Sequence, residues 1–177
     1  DFCLSRGLGD VYKRQLLTHG HYDHFGGTAD AAIDSGAEIF ISGNDSHMLS
    51  SRMDSLADFI CNESFKPITE YKEISEGSEI ILDELKFKVI ETPGHTKGSV
   101  CYLCNDYIFT GDTLFALSMG RTDFPGGNPS EMHKSLLRLA EIKEDLNVCP
   151  GHNETTTLSF EKRNNPYLKE NPYEDLI

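Results

Sequence analysis

The pattern of hydrophobic and polar positions changes its period about half-way along the chain. Residues 23–35 and 44–61 carry apolar side chains at helical spacing, and Gly36 is a typical stop signal for the first of these segments. From residue 79 onward the pattern favours short strands, which are separated by turn pairs such as Asp83-Glu84. The predicted strands cover residues 16–18, 37–42, 79–82, 85–91, 99–104, 107–110 and 147–150.

Another helix is predicted in the C-terminal third of the chain. Ser130 is a suitable N-cap, and the apolar residues Met132, Leu136 and Leu139 follow it at helical spacing. A terminal helix is predicted over residues 159–165, and residues 166–177 are predicted to be irregular. Because helices and strands are mixed and hairpins occupy the middle of the chain, we expect a layered α/β sandwich and not a repeated βαβ unit.

The composition argues against two classes of partner. The chain has 177 residues, which suits one domain, and its net charge is −13. Nucleic acid is an unfavourable partner for such a chain, because binding to phosphates needs a basic surface. No membrane-spanning helix is predicted either, since no apolar run approaches the roughly 18 residues that one requires. The sequence leaves the oligomeric state open.

The five cysteines favour a reducing compartment. An odd number of cysteines without a recognisable signal peptide is typical of reduced thiols, so we expect a cytoplasmic location. Cys101 and Cys104 form a C-x-x-C pair, a spacing that also occurs in zinc and redox sites. The pair lies in a predicted strand, where positions three apart face opposite sides, and no second pair follows. We therefore expect both cysteines to be core residues.

The densest chemical signal is the segment from Thr18 to His24, which reads T-H-G-H-Y-D-H. His19 and His21 are two positions apart on an extended segment, so their rings can bind one metal ion from the same side. Asp23 and His24 follow where the chain turns into a helix, and they can serve a second ion close by. Placing so many ionisable groups on one short loop is costly unless a bound cation coordinates them. The segment therefore predicts a metal centre.

Three single residues have the same character. His95 lies in T-P-G-H-T after a predicted strand, Asp112 follows another strand, and His152 lies in P-G-H-N after the last strand. Loops held by a rigid scaffold commonly carry functional side chains. With the four residues of the His-rich segment, the set is too large for a single tetrahedral zinc and suits two ions that share a bridging carboxylate. The seven candidate ligands are His19, His21, Asp23, His24, His95, Asp112 and His152.

The single residues also have structural interpretations. A lone loop histidine such as His95 or His152 is more often structural than a ligand, and Asp112 alone could bind its own backbone in a turn. The His-rich segment makes metal binding the better interpretation of all three. His47 and His133 lie in polar helical stretches and are predicted to be surface residues outside the metal centre.

The motifs resemble those of one known family. In chain order, T-H-x-H-x-D-H-x-G-G, P-G-H-T-x-G-S, T-G-D-T-L-F and P-G-H are similar to the metallo-β-lactamase superfamily. The nearest branch is that of the short bacterial proteins that resemble glyoxalase II (hydroxyacylglutathione hydrolase). The resemblance covers residues 16 to about 166 and implies the αββα sandwich of the superfamily. Since family members have several strands ahead of the His-rich loop, it also implies that the N-terminal strands are missing here.

The first fifteen residues are expected to be foreign to this fold. The run G-D-V-Y-K-R-Q at residues 9–15 resembles adaptor-derived sequence at broken ends of reading frames. Residues 1–15 are therefore predicted to be a non-native leader, and residues 16–177 to form an N-terminally truncated hydrolase domain. Such a leader would be poorly ordered, and a sheet edge and an apolar face would stay uncovered.

The resemblance also implies a role for each ligand. His19, His21 and His95 would hold the first ion, Asp23, His24 and His152 the second, and Asp112 would bridge the two. Two such ions lower the pKa of a shared water to roughly 7, which supplies hydroxide for attack on an acyl carbon. Asp23 would orient this water in addition to binding its ion. Zinc is the default for a nitrogen-rich ligand set, with iron or manganese as alternatives.

A small acyl thioester, similar to hydroxyacylglutathione, is the expected substrate. A thiolate leaves with little protonation, which suits a site with no evident general acid. Arg121 and, more weakly, Lys97 are candidates for binding a substrate carboxylate, although solvated surface charges are an equally good interpretation. Glyoxalase II itself has a C-terminal helical domain for glutathione, and the short stretch after His152 does not provide one, so the acyl group stays open.

Other activities occur on the same scaffold. They include those of a lactonase, a β-lactamase, a phosphodiesterase and a one-iron persulfide dioxygenase. The presence of Asp23, His24 and His152 together favours two ions and hydrolysis over the dioxygenase, which needs fewer ligands. The non-enzymatic alternative is a metal-binding fragment without activity.

Overall fold

The computed structural model describes residues 14–60 and 65–169, and within them the chain forms two main sheets. The first sheet has the order β1-β2-β3 and is parallel, with β1 at Arg14–Leu16, β2 at Glu38–Ser42 and β3 at Lys72–Ile74. The second sheet has the order β11-β10-β7-β6-β5-β4. Its strands are β4 (Glu79–Leu82), β5 (Leu85–Glu91), β6 (Val100–Cys104), β7 (Tyr107–Gly111), β10 (Asn147–Pro150) and β11 (Thr156–Thr157). A small hairpin joins β8 (Leu114–Phe115) to β9 (Ser118–Met119).

Five short α-helices accompany the sheets in the described residues. They are α1 (Tyr22–Phe25), α2 (Thr28–Ser35), α3 (Ala57–Ile60), α4 (Pro129–Ala140) and α5 (Leu158–Asn164). Two 3₁₀ turns cover Ser46–Ser50 and Pro166–Leu168. None of the helices in the described part of the chain is long and apolar enough to cross a membrane.

Three apolar clusters hold the elements in four layers. Between the two sheets, side chains of the first sheet such as Phe40 pack with Val89 and Tyr102 of the second. On the outer face of the first sheet, Phe25 of α1 joins Ile41 of β2. On the outer face of the second sheet, α4 and α5 bury another group of side chains, among them Met132, Leu136, Leu139 and Leu158. This helix–sheet–sheet–helix order confirms the predicted α/β sandwich.

Two helix predictions need correction. The predicted helix over residues 23–35 is interrupted at Gly26 and Gly27, so that α1 and α2 are separate. The N-cap of α4 is Asn128 and not Ser130, because the Asn128 side chain accepts hydrogen bonds from the Ser130 and Glu131 amides. Pro129 occupies the first helical position, where its missing amide hydrogen costs nothing. In its described residues 44–60, the predicted helical segment 44–61 forms two short helical elements, the first 3₁₀ turn and α3.

The strand predictions hold in the middle of the chain and fail at its short elements. Strands β4, β5, β6, β7 and β10 lie where the alternation indicated, to within one residue. The strand predicted at residues 16–18 instead ends at Leu16. Strands β3, β8, β9 and β11, together with the 3₁₀ turn at Pro166–Leu168, lie where no regular structure was predicted. Each of these has only two or three residues, too few for a periodic pattern to develop.

The predicted leader lies mostly outside the described residues. Residues 1–13 are not described, whereas Arg14 and Gln15 belong to β1, and Gln15 donates a side-chain hydrogen bond to the Thr28 carbonyl. Among the described strands β1 is an outer strand of its sheet. On the second sheet, Tyr107 and Phe109 keep 48% and 37% of their surface exposed. The foreign origin of the leader stays a prediction.

Both cysteines of the C-x-x-C pair are buried free thiols. Cys101 is fully buried in the cluster under α4, and burial raises the pKa of its thiol to about 11. A protonated thiol in such surroundings is a poor metal ligand and a poor nucleophile. The structural interpretation of the pair is therefore the better one.

Replacement of Cys101 by alanine tests this interpretation. Cys101→Ala is expected to lower the free energy of unfolding by about 1 kcal/mol, because it removes a small apolar group from a packed core. The number of bound metal ions per chain should not change. Urea unfolding and elemental analysis of the two proteins measure these quantities, and a loss of bound metal in Cys101→Ala would assign the pair to a metal site.

Candidate metal centre

The His-rich segment follows β1 and turns into α1 after His21, whose backbone is extended. His21 is the N-cap of α1, with φ −77° and ψ 146°, so His19 and His21 precede the helix while Asp23 and His24 lie on it. His19 and His21 are almost fully buried, with 0% and 3% of their surface exposed. The change from extended chain to helix directs the two pairs of side chains differently, as the spacing predicted.

The other three candidate ligands follow strands that run in one direction. Strand β7 pairs in parallel with β10, and both β5 and β7 are antiparallel to β6. The carboxyl ends of β5, β7 and β10 therefore lie along one edge of the second sheet. His95 lies in the loop after β5, Asp112 directly follows β7, and His152 follows β10. The topology thus brings together residues that are far apart in the sequence.

His19, His21 and His95 form the first group. The Nδ1 atom of His21 lies 2.9 Å from the Nε2 atom of His95, and the ring centroid of His19 lies 4.8 Å from each of the other two. One ring nitrogen from each residue falls within 4.8 Å of the others, a spread that one metal ion can span. All three residues are buried.

Asp23, His24 and His152 form the second group, which is more exposed. The Nε2 atoms of His24 and His152 are 3.3 Å apart, and an Asp23 oxygen lies 3.3 Å from the His152 nitrogen. This group can hold a second ion beside the first. Its greater exposure places it on the solvent side of the centre.

Asp112 lies between the two groups. Its Oδ1 atom is 3.3 Å from His24 Nε2, and its Oδ2 atom is 3.5 Å from His95 Nε2 and 3.7 Å from His152 Nε2. The carboxylate therefore faces nitrogens of both groups, which is the arrangement that a bridging ligand requires. Gly151 allows this approach, because a Cβ atom at that position would lie 2.5 Å from Asp112 Oδ1.

The protonation states of the first group suit metal ligands. Burial lowers the pKa of His19 well below its ordinary value, and the charges of the neighbouring histidines lower it further. Burial is also the main cause at His21, where the charge of His95 adds to it and the pKa falls to about 4. Neutral imidazole is the form that binds metal. His95 Nδ1 donates a hydrogen bond to the Arg121 carbonyl at 2.7 Å, which leaves its Nε2 atom as the free acceptor facing the centre.

The second group has a different electrostatic balance. For His24, burial acts to lower the pKa, but the hydrogen bond and the charge of Asp112, together with the charge of Asp23, raise it overall. For Asp112, burial acts to raise the pKa, yet the hydrogen bond with His24 and the nearby histidines lower it overall. Each of these two side chains therefore favours the charged form of the other.

The donor set fits divalent metal ions. The buried Nε2 atom of His19 has no hydrogen-bond partner within the described residues, an arrangement that is costly unless a ligand satisfies the atom. Nitrogen and carboxylate donors within a few ångströms of each other are the usual ligands of zinc and of iron. His47 and His133 belong to none of the ligand groups found in the described part of the chain.

A family comparison agrees with this geometry. The family model for the metallo-beta-lactamase superfamily matches residues 16–152, which includes all seven candidate ligands. This chain belongs to the metallo-β-lactamase superfamily. Membership in the superfamily and the clustered ligands together support a metal-binding hydrolase.

Several individual proteins of the superfamily are similar to this chain. The chain is 35% identical to the hydroxyacylglutathione hydrolase GloC of Haemophilus influenzae over 162 residues, which cover 88% of this chain and 76% of the relative. Among solved structures, the B3 metallo-beta-lactamase BLEG-1 superposes with a TM-score of 0.82 at 27% identity. The match covers 89% of this chain and 77% of the BLEG-1 chain. TTHA1623 in a di-iron-bound form gives a TM-score of 0.78 at 32% identity, with 89% and 78% covered.

The two predicted substrate-binding cations lie in different surroundings. Arg121 donates two hydrogen bonds to the Asp123 carboxylate, at 2.7 and 2.6 Å, and its guanidinium stacks 3.8 Å from the Phe124 ring centre. Its backbone carbonyl is the partner of His95 described above. Lys97 is exposed in the loop that carries His95. The backbone of Arg121 thus lies beside the centre, whereas its exposed guanidinium already has an acidic partner.

Two residues near the centre were not found by sequence reasoning. Phe124 packs edge-on against the His21 ring, with centroids 5.9 Å apart, and forms an apolar wall beside the first group. Asp45 is a buried carboxylate that contacts two of the ligand-bearing loops. Phe124 lies three residues after Arg121, which was predicted to bind substrate, and this proximity could have indicated it. Nothing in the sequence around Asp45 indicates a role.

Proposed function

We propose that this protein is a binuclear metal-dependent hydrolase that cleaves small acyl thioesters. The observation that carries the proposal is the position of Asp112, whose two oxygens face nitrogens of both ligand groups. A dioxygenase with one metal ion would have no use for Asp23, His24 and His152 as a second group. The similarity to a hydroxyacylglutathione hydrolase supports the thioester as the substrate class.

Each part of the centre has a task in this proposal. Two divalent ions, when bound, supply a nucleophile from water at neutral pH and stabilise negative charge on the carbonyl oxygen. His19, His21 and His95 bind the inner ion, and the more exposed second group binds the outer one. Asp23, with its partly exposed carboxylate, accepts a hydrogen bond from the attacking water and orients it. Phe124 excludes bulk water from the side of His21.

A substrate panel with defined metal content tests the proposal. The purified protein is stripped with a chelator, reloaded with zinc, iron(II) or manganese, and assayed on small acyl thioesters, matched oxoesters, a lactone, a phosphodiester and a β-lactam. Zinc is the first choice for this donor set, and the di-iron form of TTHA1623 makes iron the second. We expect thioester hydrolysis in a reloaded form only. Equal turnover by the stripped protein, or turnover of another ester class alone, would contradict the proposal.

Arg121 is our candidate for the anchor of a substrate carboxylate. Since the anchor acts at a distance from the reacting bond, Arg121→Ala is expected to raise KM by about tenfold and to change kcat less than threefold. Lys97→Ala is expected to have a smaller effect on KM, because its ammonium is a single exposed charge.

The ion pair with Asp123 offers a matched control for this prediction. Asp123→Asn removes the competing carboxylate from Arg121, so KM should fall or stay the same when Arg121 binds substrate. Steady-state kinetics of the three variants on one thioester that carries a carboxylate measure these changes. An unchanged KM in Arg121→Ala would remove Arg121 from the substrate site.

A further inference from the structure

Asp45 is a buried carboxylate whose partners all lie in the ligand-bearing loops. It has 1% of its surface exposed and lies just before the 3₁₀ turn Ser46–Ser50, outside every motif described above. Its Oδ2 atom accepts hydrogen bonds from the Gly20 amide at 3.1 Å and from the Thr96 hydroxyl at 2.6 Å. Its Oδ1 atom accepts one from the Gly98 amide at 2.8 Å.

These three donors belong to the two loops that form the first ligand group. Gly20 lies between His19 and His21, and Thr96 directly follows His95. The two loops are more than 70 residues apart in the sequence, with 74 positions separating His21 from His95. One carboxylate therefore joins the backbone of the first loop to the backbone and side chain of the second.

The close fit around Asp45 shows that the loops are held at a short distance. A Cβ atom at Gly98 would lie 2.6 Å from the Asp45 Cγ atom, and one at Gly20 would lie 3.0 Å from the Asp45 carbonyl oxygen. The first distance is one that only glycine allows, and the second is so short that the Asp45 backbone would have to shift. The Thr96 hydroxyl is fixed further by Ser99, whose side-chain oxygen lies 2.7 Å away. Since all these groups are buried, a change in one of them alters the spacing of the loops.

We propose that Asp45 is a positioning residue that sets the affinity of the first metal site without contacting the metal. Its carboxylate holds His19 and His21 at the distance from His95 that one ion requires. The second group has no such tie to Asp45, because Asp23 and His24 lie on α1 and His152 follows β10. The inference rests on the proposed metal centre and adds to it a residue that governs one site and not the other.

Variants of Asp45 and Thr96 test the inference through metal affinity. Asp45→Asn places an amide NH₂ where one oxygen now faces a donor, so at least one of the three hydrogen bonds is lost. Competition with a chromophoric zinc chelator should show the first site weakened by about 10- to 100-fold, with the second site changed less than twofold. The His152→Ala variant, which disrupts the second group, assigns each binding step to its site.

A second pair of variants keeps the test valid when Asp45→Asn folds poorly. Thr96→Val removes one donor and should weaken the first site by several fold, whereas Thr96→Ser keeps the hydroxyl and should restore the affinity. Asp145→Asn is the matched control, because Asp145 also accepts an amide and a hydroxyl hydrogen bond from Ser159 but lies on the surface away from the centre. It should leave both zinc affinities unchanged.

The outcomes separate this inference from the proposed function. Failure of the unmodified protein to bind zinc with measurable affinity would overturn the metal centre itself, and Asp45 would lose its role with it. Two zinc ions in the unmodified protein and unchanged affinities in both Asp45→Asn and Thr96→Val would overturn the role of Asp45 alone. Equal weakening of the two sites would do the same, since it would indicate a general loss of structure.

Discussion

Asp112→Ala is expected to release metal from both sites and to reduce thioester hydrolysis by about a thousandfold or more. The carboxylate lies against both ligand groups, with oxygens 3.3 Å from His24 and 3.5 Å from His95. Its removal leaves each ion with only its own triad and removes the negative charge that offsets two cations. Loss of His152 should instead weaken mainly the second site.

The measurement combines metal content with turnover on the same samples. Asp106→Ala serves as the control, since Asp106 is an exposed carboxylate in the turn between β6 and β7, at the opposite edge of the sheet. It should keep full metal content and full rate. An Asp112→Ala protein that retains two ions and more than about a tenth of the rate would show that the carboxylate does not bridge.

Gly94→Ala is expected to lower the free energy of unfolding by more than about 3 kcal/mol. Gly94 has a φ of 145°, and a Cβ atom there would lie 2.3 Å from the Cα atom of Met132. The obstacle is the backbone of α4, which cannot move aside as the end of a side chain can. Because His95 is the next residue, the displaced loop should also weaken the first metal site.

Two other glycines separate backbone strain from the clash with α4 as the cause of the lower free energy of unfolding. Gly77 has a φ of 75° with nothing near its Cβ position, so Gly77→Ala should cost only about 1 kcal/mol of backbone strain. Gly27 has open space and an ordinary φ of −93°, so Gly27→Ala should be neutral or slightly stabilising. Denaturant unfolding of the three metal-free variants gives the comparison, and equal losses at Gly94 and Gly77 would exclude the clash with α4.

The clustering of the seven candidate ligands could be predicted from the sequence because each of them has a local signal. His19, His21, Asp23 and His24 lie within one short segment, and the single ligands follow strands with clear alternation. Once β5, β7 and β10 are known to run in one direction, the ends of these strands must meet at one edge. The structure brings all seven residues together at that edge.

The features that escaped prediction depend on partners that are distant in the sequence. Strand β3 forms because it pairs with β2, from which 29 residues separate it in the chain, and its own three residues carry no period. In the sequence Asp45 looks like an ordinary turn residue, and only the fold places Gly20 and Gly98 against it. Asn128 was missed for another reason, since the Asn-Pro pair was available as a local N-cap signal.

In the proposed function, one chain binds two divalent ions through these seven residues. Elemental analysis of the purified protein after saturation with zinc and removal of excess metal measures the number of ions per chain directly. We expect two ions for the unmodified protein, one for His152→Ala, and a loss of both for Asp112→Ala. A single ion in the unmodified protein, or two ions retained in Asp112→Ala, would contradict the proposed function.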